Sequence, residues 1–343
     1  MTHYSLNEKI AVRENNLNTV KLMAALLVIV SHAYAFATGY LRTDWLYIVS
    51  GGSGDFGALA VNVFFFYSGL MITGSLFRNG DTKRYFKRRV ARIFPAFILV
   101  TLLIVFIAGP VITSLSPSEY FRNADTYGYL KNLILLTEHT LPGVFTHNIY
   151  GNAVNGPIWT IRVEVACYIM CFIYYKAGLL KKNRMILSVI SYMLLSGIIG
   201  YFSFNIGGMQ ALILPVTMFY LGMVYRVYAE DIRLNKRVAV FSALGLCIFM
   251  LLHQFIFACM VFLPYLLCYL AFATDRKNVY LDKLGEYSYE TYLWGGFIGQ
   301  LVTFMFGGSM SEYINMLITI PVSLLLGYLT AKAVSTKQHA GKI

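Results

Sequence analysis

Apolar runs of about twenty residues recur along the whole chain, and they constrain its fold more than any other feature. A helix needs about twenty such residues to cross the hydrocarbon core of a bilayer. Hydrophobic residues make up 58% of the 343-residue chain and charged residues only 13%, too little charge for the surface of a soluble domain. The sequence therefore predicts an all-α polytopic membrane protein with about ten transmembrane helices. The predicted segments are residues 20–40, 57–77, 93–112, 157–175, 185–203, 209–227, 238–253, 255–273, 289–306 and 313–331.

The distribution of lysine and arginine predicts how the chain is oriented. Cytoplasmic segments carry the excess of basic residues under the positive-inside rule. With ten spans and a cytoplasmic N-terminus, all but four of the 28 basic residues fall on the cytoplasmic side. We therefore expect a cytoplasmic N-terminal segment at 1–19, a ten-span membrane domain at 20–331 and a cytoplasmic tail at 332–343. The net charge of +12 is a topology signal that also attracts anionic lipid, and it requires no nucleic acid.

The longest external segment covers residues 113–156. Loops of this length in a compact protein are usually functional. The middle of the segment, "PSEYFRNADTYGYLKNLILLTEH", predicts a helix on the outer face that is capped by Ser116 or Ser118.

The first predicted span contains two ionisable residues, Lys21 and His32. A charge at the centre of a span costs about 2.5–3.5 kcal/mol, so it requires a partner or a role. Their separation of eleven residues is close to three helical turns, which places both side chains on one stripe about 16 Å apart along the axis. This spacing suits a ligand with an anionic head and a buried reactive end, such as an acyl thioester of coenzyme A. Alternatively, His32 is a neutral imidazole that packs between helices and bonds a backbone carbonyl or a hydroxyl.

Arg89 and Arg92 lie in the basic segment that leads into the third span. Three residues apart on a helix, they share a face at the membrane surface. Guanidinium groups match the oxygens of phosphate in a bidentate manner. Ordinary positive-inside anchoring explains a basic segment equally well, so the spacing leaves both interpretations open.

The fourth span carries opposite charges near its outer end, Arg162 and Glu164. Residues two apart point to different helix faces, whereas Glu164 and Tyr168 share one. Such charges indicate a polar cavity near the outer entrance or, alternatively, a structural network between helices. Ser68 in the second span is a weaker candidate, because small residues often serve close helix packing.

All five cysteines lie within predicted spans. Cys167 and Cys171 are four residues apart, but no further histidine or cysteine completes a set of metal ligands. We therefore expect the cysteines to be small apolar packing residues, with no metal site and no permanently bound cofactor.

Five motifs follow one another along the chain: "NTVKLMAALLVIVSHA", "AVNVFFFYSGLMIT", "KRRVARIFPAF", "NGPIWTIRVEVACYI" and "LGEYSYETYLW". The first contains a basic residue and a histidine separated by ten positions, and the third contains R-x-x-R. In this order they resemble the motifs of the acyltransferase-3 family of integral membrane O-acyltransferases. Each motif alone is weak, but the five together are specific and cover most of the chain.

The resemblance implies about ten spans, a cytoplasmic acyl-CoA donor and acylation of a sugar hydroxyl on a cell-surface glycan at a bacterial inner membrane. It implies that His32 is catalytic, that Glu164 is a supporting polar residue of the catalytic set, and that Lys21, Arg89 and Arg92 bind the donor or belong to the active site. The candidate substrate-binding or supporting residues are Ser68, Trp159, Arg162 and Tyr168.

The sequence departs from the family pattern in three respects. Lys21 stands where many members have arginine, which keeps the attraction to phosphate but loses the bidentate fork. Gly295 follows "YLW" where many members place a histidine. No esterase-like domain follows the tenth span, so we expect direct transfer or a separate periplasmic partner protein.

We therefore predict an enzyme, a membrane O-acyltransferase that moves an acyl group from cytoplasmic acyl-CoA to a sugar hydroxyl. The acyl group is expected to be acetyl, and the acceptor a surface or exported polysaccharide, a lipopolysaccharide or a lipid-linked glycan. His32 would act as general base on the hydroxyl, with an acyl-histidine relay as a variant. The alternative is a multi-span transporter or flippase in which His32, Arg162 and Glu164 form an intramembrane relay.

Overall fold

The computed structural model describes residues 4–12, 14–206, 210–273 and 278–340, and within them the chain is helical apart from turns, loops and isolated β-bridges. The first eight α-helices are α1 (Leu6–Ala11), α2 (Leu17–Thr38), α3 (Trp45–Val49), α4 (Phe56–Asn79), α5 (Thr82–Leu103), α6 (Gly109–Ile112), α7 (Pro117–Arg122) and α8 (Ala124–Gly128). The others are α9 (Trp159–Lys176), α10 (Met185–Ile206), α11 (Gln210–Val227), α12 (Lys236–Leu251), α13 (Phe255–Val261), α14 (Leu263–Phe272), α15 (Val279–Gly285), α16 (Ser288–Met305) and α17 (Glu312–Ala340).

Each of the ten predicted segments coincides with a long helix or with a pair of shorter ones. By length and composition, six helical stretches of the described chain can cross a membrane. The pair α13–α14, bent by 48°, makes a seventh if it is one span. The all-helical class with several apolar helices long enough to span a membrane is therefore confirmed for the described residues, whereas the count of ten spans and the cytoplasmic termini stay predictions. Four of the basic residues behind the predicted orientation, Arg13, Arg276, Lys277 and Lys342, lie outside the described residues.

The third membrane helix begins eleven residues earlier than predicted, at Thr82 instead of residue 93. Asp81 caps it by accepting hydrogen bonds from the backbone N–H groups of Lys83 and Arg84. The arginines and lysines that follow are good helix formers, so the basic segment continues the span without a break. Arg89 and Arg92 are consequently carried on the same rigid helix that enters the apolar region.

The predicted outer helix in the 113–156 segment is broken into shorter pieces. Ser116 caps α7 in a capping box with Glu119, as expected. Asn123 then adopts an extended backbone and caps α8, which ends the first helix at Arg122. The segment is tied to α16 farther along, because the Asn155 amide donates to the Leu293 carbonyl at 2.8 Å.

Close approach of α4 and α11 forms the centre of the helix bundle, and α2 packs on α4 and α16. A Cβ atom on Gly69 of α4 would lie 2.0 Å from the Phe219 carbonyl oxygen, and one on Gly222 of α11 would lie 2.2 Å from the Phe66 carbonyl oxygen. Backbones approach this closely only where side chains are absent. Gly69 and Gly222 therefore serve the close packing of α4 on α11.

The substitution Gly69→Ala is expected to destabilise the fold, because the added methyl group overlaps the backbone of α11. Overpacking of this kind costs about 1–3 kcal/mol or more. The measurement is the thermal midpoint of the purified protein in detergent, followed by size-exclusion chromatography after heating. Gly197→Ala in α10 is the matched control, since a Cβ there meets nothing within 4 Å. A midpoint for Gly69→Ala equal to that of the control would contradict the prediction.

Candidate functional site

Two cavities lie between the central helices, and they contain all nine of the predicted site residues. The first, here the basic cavity, has a volume of about 160 Å³. It is lined by Lys21, Ser68, Arg89, Arg92, Glu164 and Tyr168 among the predicted residues. The second, here the histidine cavity, has a volume of about 680 Å³ and is lined by His32, Trp159 and Arg162. Lys21 and His32, on one stripe of α2, therefore face two different cavities.

The guanidinium groups of the basic cavity keep hydrogen-bonding capacity free. Arg89 Nε is buried and has no hydrogen-bond partner among the described residues. Arg92 is oriented by Glu290, whose Oε1 lies 3.9 Å from Nη1, and by the ring of Tyr289, 5.6 Å from Cζ to centroid. A buried donor without a partner is costly, so this end of the cavity suits an anion with several acceptor oxygens.

Glu164 is the acidic group that faces these cations in the basic cavity. Its Oε1 accepts hydrogen bonds from the Ser68 hydroxyl, at 3.1 Å, and from the Tyr168 hydroxyl. The expectation that Glu164 and Tyr168 share a face is confirmed. Arg162 lines the histidine cavity instead, so the opposite charges of the fourth span face different cavities, as their spacing of two residues predicts.

The imidazole of His32 is oriented by its own helix. Its Nδ1 lies 2.9 Å from the Val28 carbonyl oxygen, one turn earlier. A carbonyl only accepts, so in the neutral ring Nδ1 carries the proton and Nε2 carries the lone pair. The bond to a backbone carbonyl matches the packing interpretation of His32, yet the side chain is half-buried and lines the histidine cavity.

Several polar residues near His32 were not predicted from the sequence. Asp55 lines the histidine cavity and caps α4, and Asp44 accepts hydrogen bonds from the Ser31 hydroxyl at 2.7 Å and the Phe56 N–H at 2.9 Å. Their signal in the sequence is an aspartate just before a helical run, typical of an N-cap. Neither was chosen, because a capping residue alone does not indicate a site.

His139 of the 113–156 segment is a second imidazole in the histidine cavity. Its Nδ1 is buried and makes no hydrogen bond to any described residue. Burial lowers the pKa of His139, the negative charge of Glu138 raises it, and the positive charge of Arg162 lowers it. No local pattern marks His139, because the fold of the long external segment alone brings it to the cavity.

Close helix packing explains why Gly295 stands where many members of the family have a histidine. A Cβ on Gly295 would lie 2.7 Å from Ile29 Cγ1, on the facing side of α2. Ile29 is buried and β-branched, so it has little freedom to move away. The helix that carries His32 therefore packs closely on α16 where many members have a larger residue.

The fold and the two cavities define a polytopic helical membrane protein with a cationic and a histidine-bearing site. The acyltransferase-3 profile, described as an acyltransferase domain, matches residues 14–332, and the chain therefore belongs to this family and is an O-acyltransferase. It is similar to an "O-acetyl transferase" of Shigella phage Sf6, with 24% identity over 93% of this chain and 94% of that protein.

Two further relatives match about half of the chain. "Nodulation protein 10" of Rhizobium leguminosarum bv. viciae is 27% identical over 48% of this chain and 44% of its own length. "Acyltransferase MdmB" of Streptomyces mycarofaciens is 30% identical over 48% of this chain and 40% of its own length. No solved structure gives a significant match.

The contact between Gly295 and Ile29 predicts the effect of restoring the histidine. Gly295→His should lower the thermal midpoint in detergent, because the side chain overlaps Ile29. Ile29→Ala alone should also destabilise the protein, by about 2–5 kcal/mol, because it leaves a cavity. In the double variant the smaller residue at position 29 makes room for the histidine. The loss of stability of the double variant should therefore be smaller, by at least about 1 kcal/mol, than the sum of the losses of the two single variants. Strict additivity would contradict the proposed contact.

Proposed function

We propose that the protein transfers an acetyl group from acyl-CoA, held in the basic cavity, to a sugar hydroxyl held in the histidine cavity, with His32 as general base. The observation that carries the proposal is the division of the candidate residues between two adjoining cavities, cations in one and the imidazole in the other. A cationic pocket suits the phosphates of coenzyme A, and a roomier pocket with hydroxyl and aromatic side chains suits a sugar.

The donor side of the proposal depends on Lys21, Arg89 and Arg92. Three cations line one small cavity and two carboxylates lie near them, Glu164 in the cavity and Glu290 beside Arg92. The remaining positive charge favours phosphate oxygens. Lys21 lies on the helix that also carries His32, so a donor bound by its head at Lys21 directs its arm along α2. Acyl-CoA is a substrate in this scheme and not a resident cofactor.

The chemical step moves the acyl group from the thioester of the donor to the hydroxyl of the acceptor, which becomes an oxygen ester. The acceptor oxygen forms a bond to the thioester carbonyl carbon, and the bond from that carbon to sulfur breaks. The hydroxyl proton moves to His32 Nε2, which the Val28 carbonyl leaves free by engaging Nδ1. From there the proton passes to the departing CoA thiolate. An acyl-histidine intermediate at Nε2 is the covalent variant of the same step.

The remaining candidates support the two substrates. Glu164, held by Ser68 and Tyr168, balances and orients the cations of the donor cavity. Trp159 offers an aromatic face on which a sugar ring packs, and Arg162 offers donors to sugar oxygens in the histidine cavity.

The name of the Sf6 relative supports acetyl as the transferred group. We propose a surface or exported polysaccharide, a lipopolysaccharide or a lipid-linked glycan as acceptor, in the inner membrane of a bacterium. In this arrangement ten spans cross the bilayer, both termini are cytoplasmic, residues 113–156 are external, and a separate periplasmic protein is a possible partner. The basic cavity then opens to the cytoplasm, where acyl-CoA is made.

The transporter alternative has less geometric support. A relay through His32, Arg162 and Glu164 requires one continuous polar space, whereas Glu164 lines the basic cavity and the other two line the histidine cavity. The family also makes the chain an acyltransferase.

The proposal is tested by the O-acetyl content of surface polysaccharide, measured by NMR in cells with wild type, His32→Asn or no copy. Asparagine keeps a donor near the position of Nδ1 but offers no base, so acetyl esters should fall to the level of cells without the gene. His147→Asn is the matched control, because His147 is exposed and lines neither cavity. Identical glycans in all cells, with matched protein levels, would reject the proposal.

Donor binding gives an independent prediction. Arg89→Gln and Lys21→Gln should each weaken the binding of CoA about tenfold in calorimetry on nanodiscs, since a charge-assisted hydrogen bond contributes about 1.5–3 kcal/mol. Lys87→Gln removes the same charge from an exposed position on α5 and should have little effect. Pantetheine, which lacks the phosphates, should bind all variants equally. Equal CoA affinity in wild type and Arg89→Gln would contradict the donor site.

A further inference from the structure

Three side chains line both cavities: Val61 of α4, Thr160 of α9 and Tyr292 of α16. We call these three residues the partition. They come from three different helices and lie where the basic cavity meets the histidine cavity. A group that moves from one cavity into the other by this route has to pass between them.

Hydrogen bonds hold the partition closed. The Tyr292 hydroxyl donates to the Pro157 carbonyl oxygen at 2.5 Å, and it lies 2.7 Å from the Thr160 hydroxyl. Each hydroxyl has one proton. The Thr160 hydroxyl also lies 3.2 Å from the Pro157 carbonyl oxygen. The two hydroxyls therefore share that acceptor while one donates to the other, and α9 and α16 are joined across the gap.

Packing around Tyr292 restricts its movement further. The ring of Phe64, which lines the basic cavity, meets the Tyr292 ring edge-on with centroids 6.0 Å apart. One turn along α16, Gly296 lets Pro157 approach, since a Cβ there would lie 2.7 Å from the Pro157 ring. Tyr292 is buried, so its ring cannot swing aside without displacing α4 or α9.

We propose that the partition is the passage for the acyl end of the donor and selects for short acyl chains. This inference rests on the proposed function, because it carries a thioester from the basic cavity towards His32. An acetyl group passes when the hydroxyls of Thr160 and Tyr292 separate, whereas each further methylene meets the Tyr292 ring and Val61. The partition residues take no part in the bonds that form or break. They select which acyl-CoA can bring its acyl group into the histidine cavity.

The test compares acetyl-CoA with butyryl-CoA. Release of CoA thiol is measured in inside-out membrane vesicles from the producing cells, and the rate with His32→Asn is subtracted. Discrimination of one methylene by a pocket is worth about 10–200-fold. Val61→Ala, which widens the passage, should therefore raise the butyryl-to-acetyl ratio about tenfold. Tyr292→Phe, which removes the hydroxyl and keeps the ring, should raise it severalfold.

A matched control distinguishes an effect of the partition from a general effect of losing a buried hydrogen bond between helices. Tyr192→Phe breaks another buried tyrosine–threonine hydroxyl pair, with Thr217, also at 2.7 Å but outside both cavities. Tyr192→Phe should leave the ratio of the butyryl-CoA rate to the acetyl-CoA rate unchanged. Val61→Trp, which narrows the passage, should lower acetyl transfer at least about tenfold.

The outcomes distinguish a failure of the inferred acyl-chain selection from a failure of the proposed function. Wild-type ratios in both Val61→Ala and Tyr292→Phe would overturn the inference, even if Val61→Trp fails to fold and cannot be compared. Full acetyl transfer by a folded Val61→Trp would overturn it as well. If wild type neither binds CoA nor releases thiol above the His32→Asn rate, the proposed function itself is rejected, and the inference falls with it.

Discussion

The cost of placing ionisable side chains among apolar helices is the constraint on which the rest of the structure depends. Lys21, Arg89 and Arg92 are tolerated because they surround one polar cavity together with the opposing carboxylate of Glu164. His32 is tolerated because a carbonyl of its own helix engages one nitrogen and the histidine cavity receives the other side of the ring. The helices that supply these groups are therefore held around polar space, whereas only 17% of the apolar window within Lys182–Tyr201, which includes most of α10, is buried, and most of its apolar side chains face outwards.

The geometry of α9 directs its polar side chains into two different cavities. Residues four apart differ by about 40° around an α-helix, and residues two apart differ by about 200°. Thr160, Glu164 and Tyr168 accordingly form one stripe that faces the basic cavity, while Arg162 points to the histidine cavity. A single helix thus supplies a carboxylate to the basic cavity and a guanidinium to the histidine cavity, and the same stripe contributes Thr160 to the boundary between them.

The sequence predicts those features that depend on one helix. Hydropathy located ten helical segments, and spacing placed Lys21 and His32 on one stripe and Glu164 beside Tyr168. It did not predict which side of the bundle Glu164 faces, because rotation about the helix axis is set by neighbouring helices. His139 and Asp55 also escaped prediction, since folding of the external segments brings them to the cavity. Tyr292 lay within a quoted motif, but its role at the boundary requires the contact with Thr160, 132 residues away.

The surroundings of His32 show how the proposed base works without a carboxylate bound to it. Both oxygens of Asp44 are occupied, Oδ1 by the Tyr47 N–H and Oδ2 by the Ser31 hydroxyl and the Phe56 N–H. Asp55 accepts from the Ala58 N–H and lies 3.8 Å from Arg42 Nε. These carboxylates therefore hold the external loop, while the Val28 carbonyl fixes the imidazole. When His32 gains a proton in the proposed step, Nδ1 keeps its bond, and Asp55 in the same cavity stabilises the new charge through space. In the proposed reaction the loop thus contributes negative charge, and α2 contributes the orientation of the imidazole.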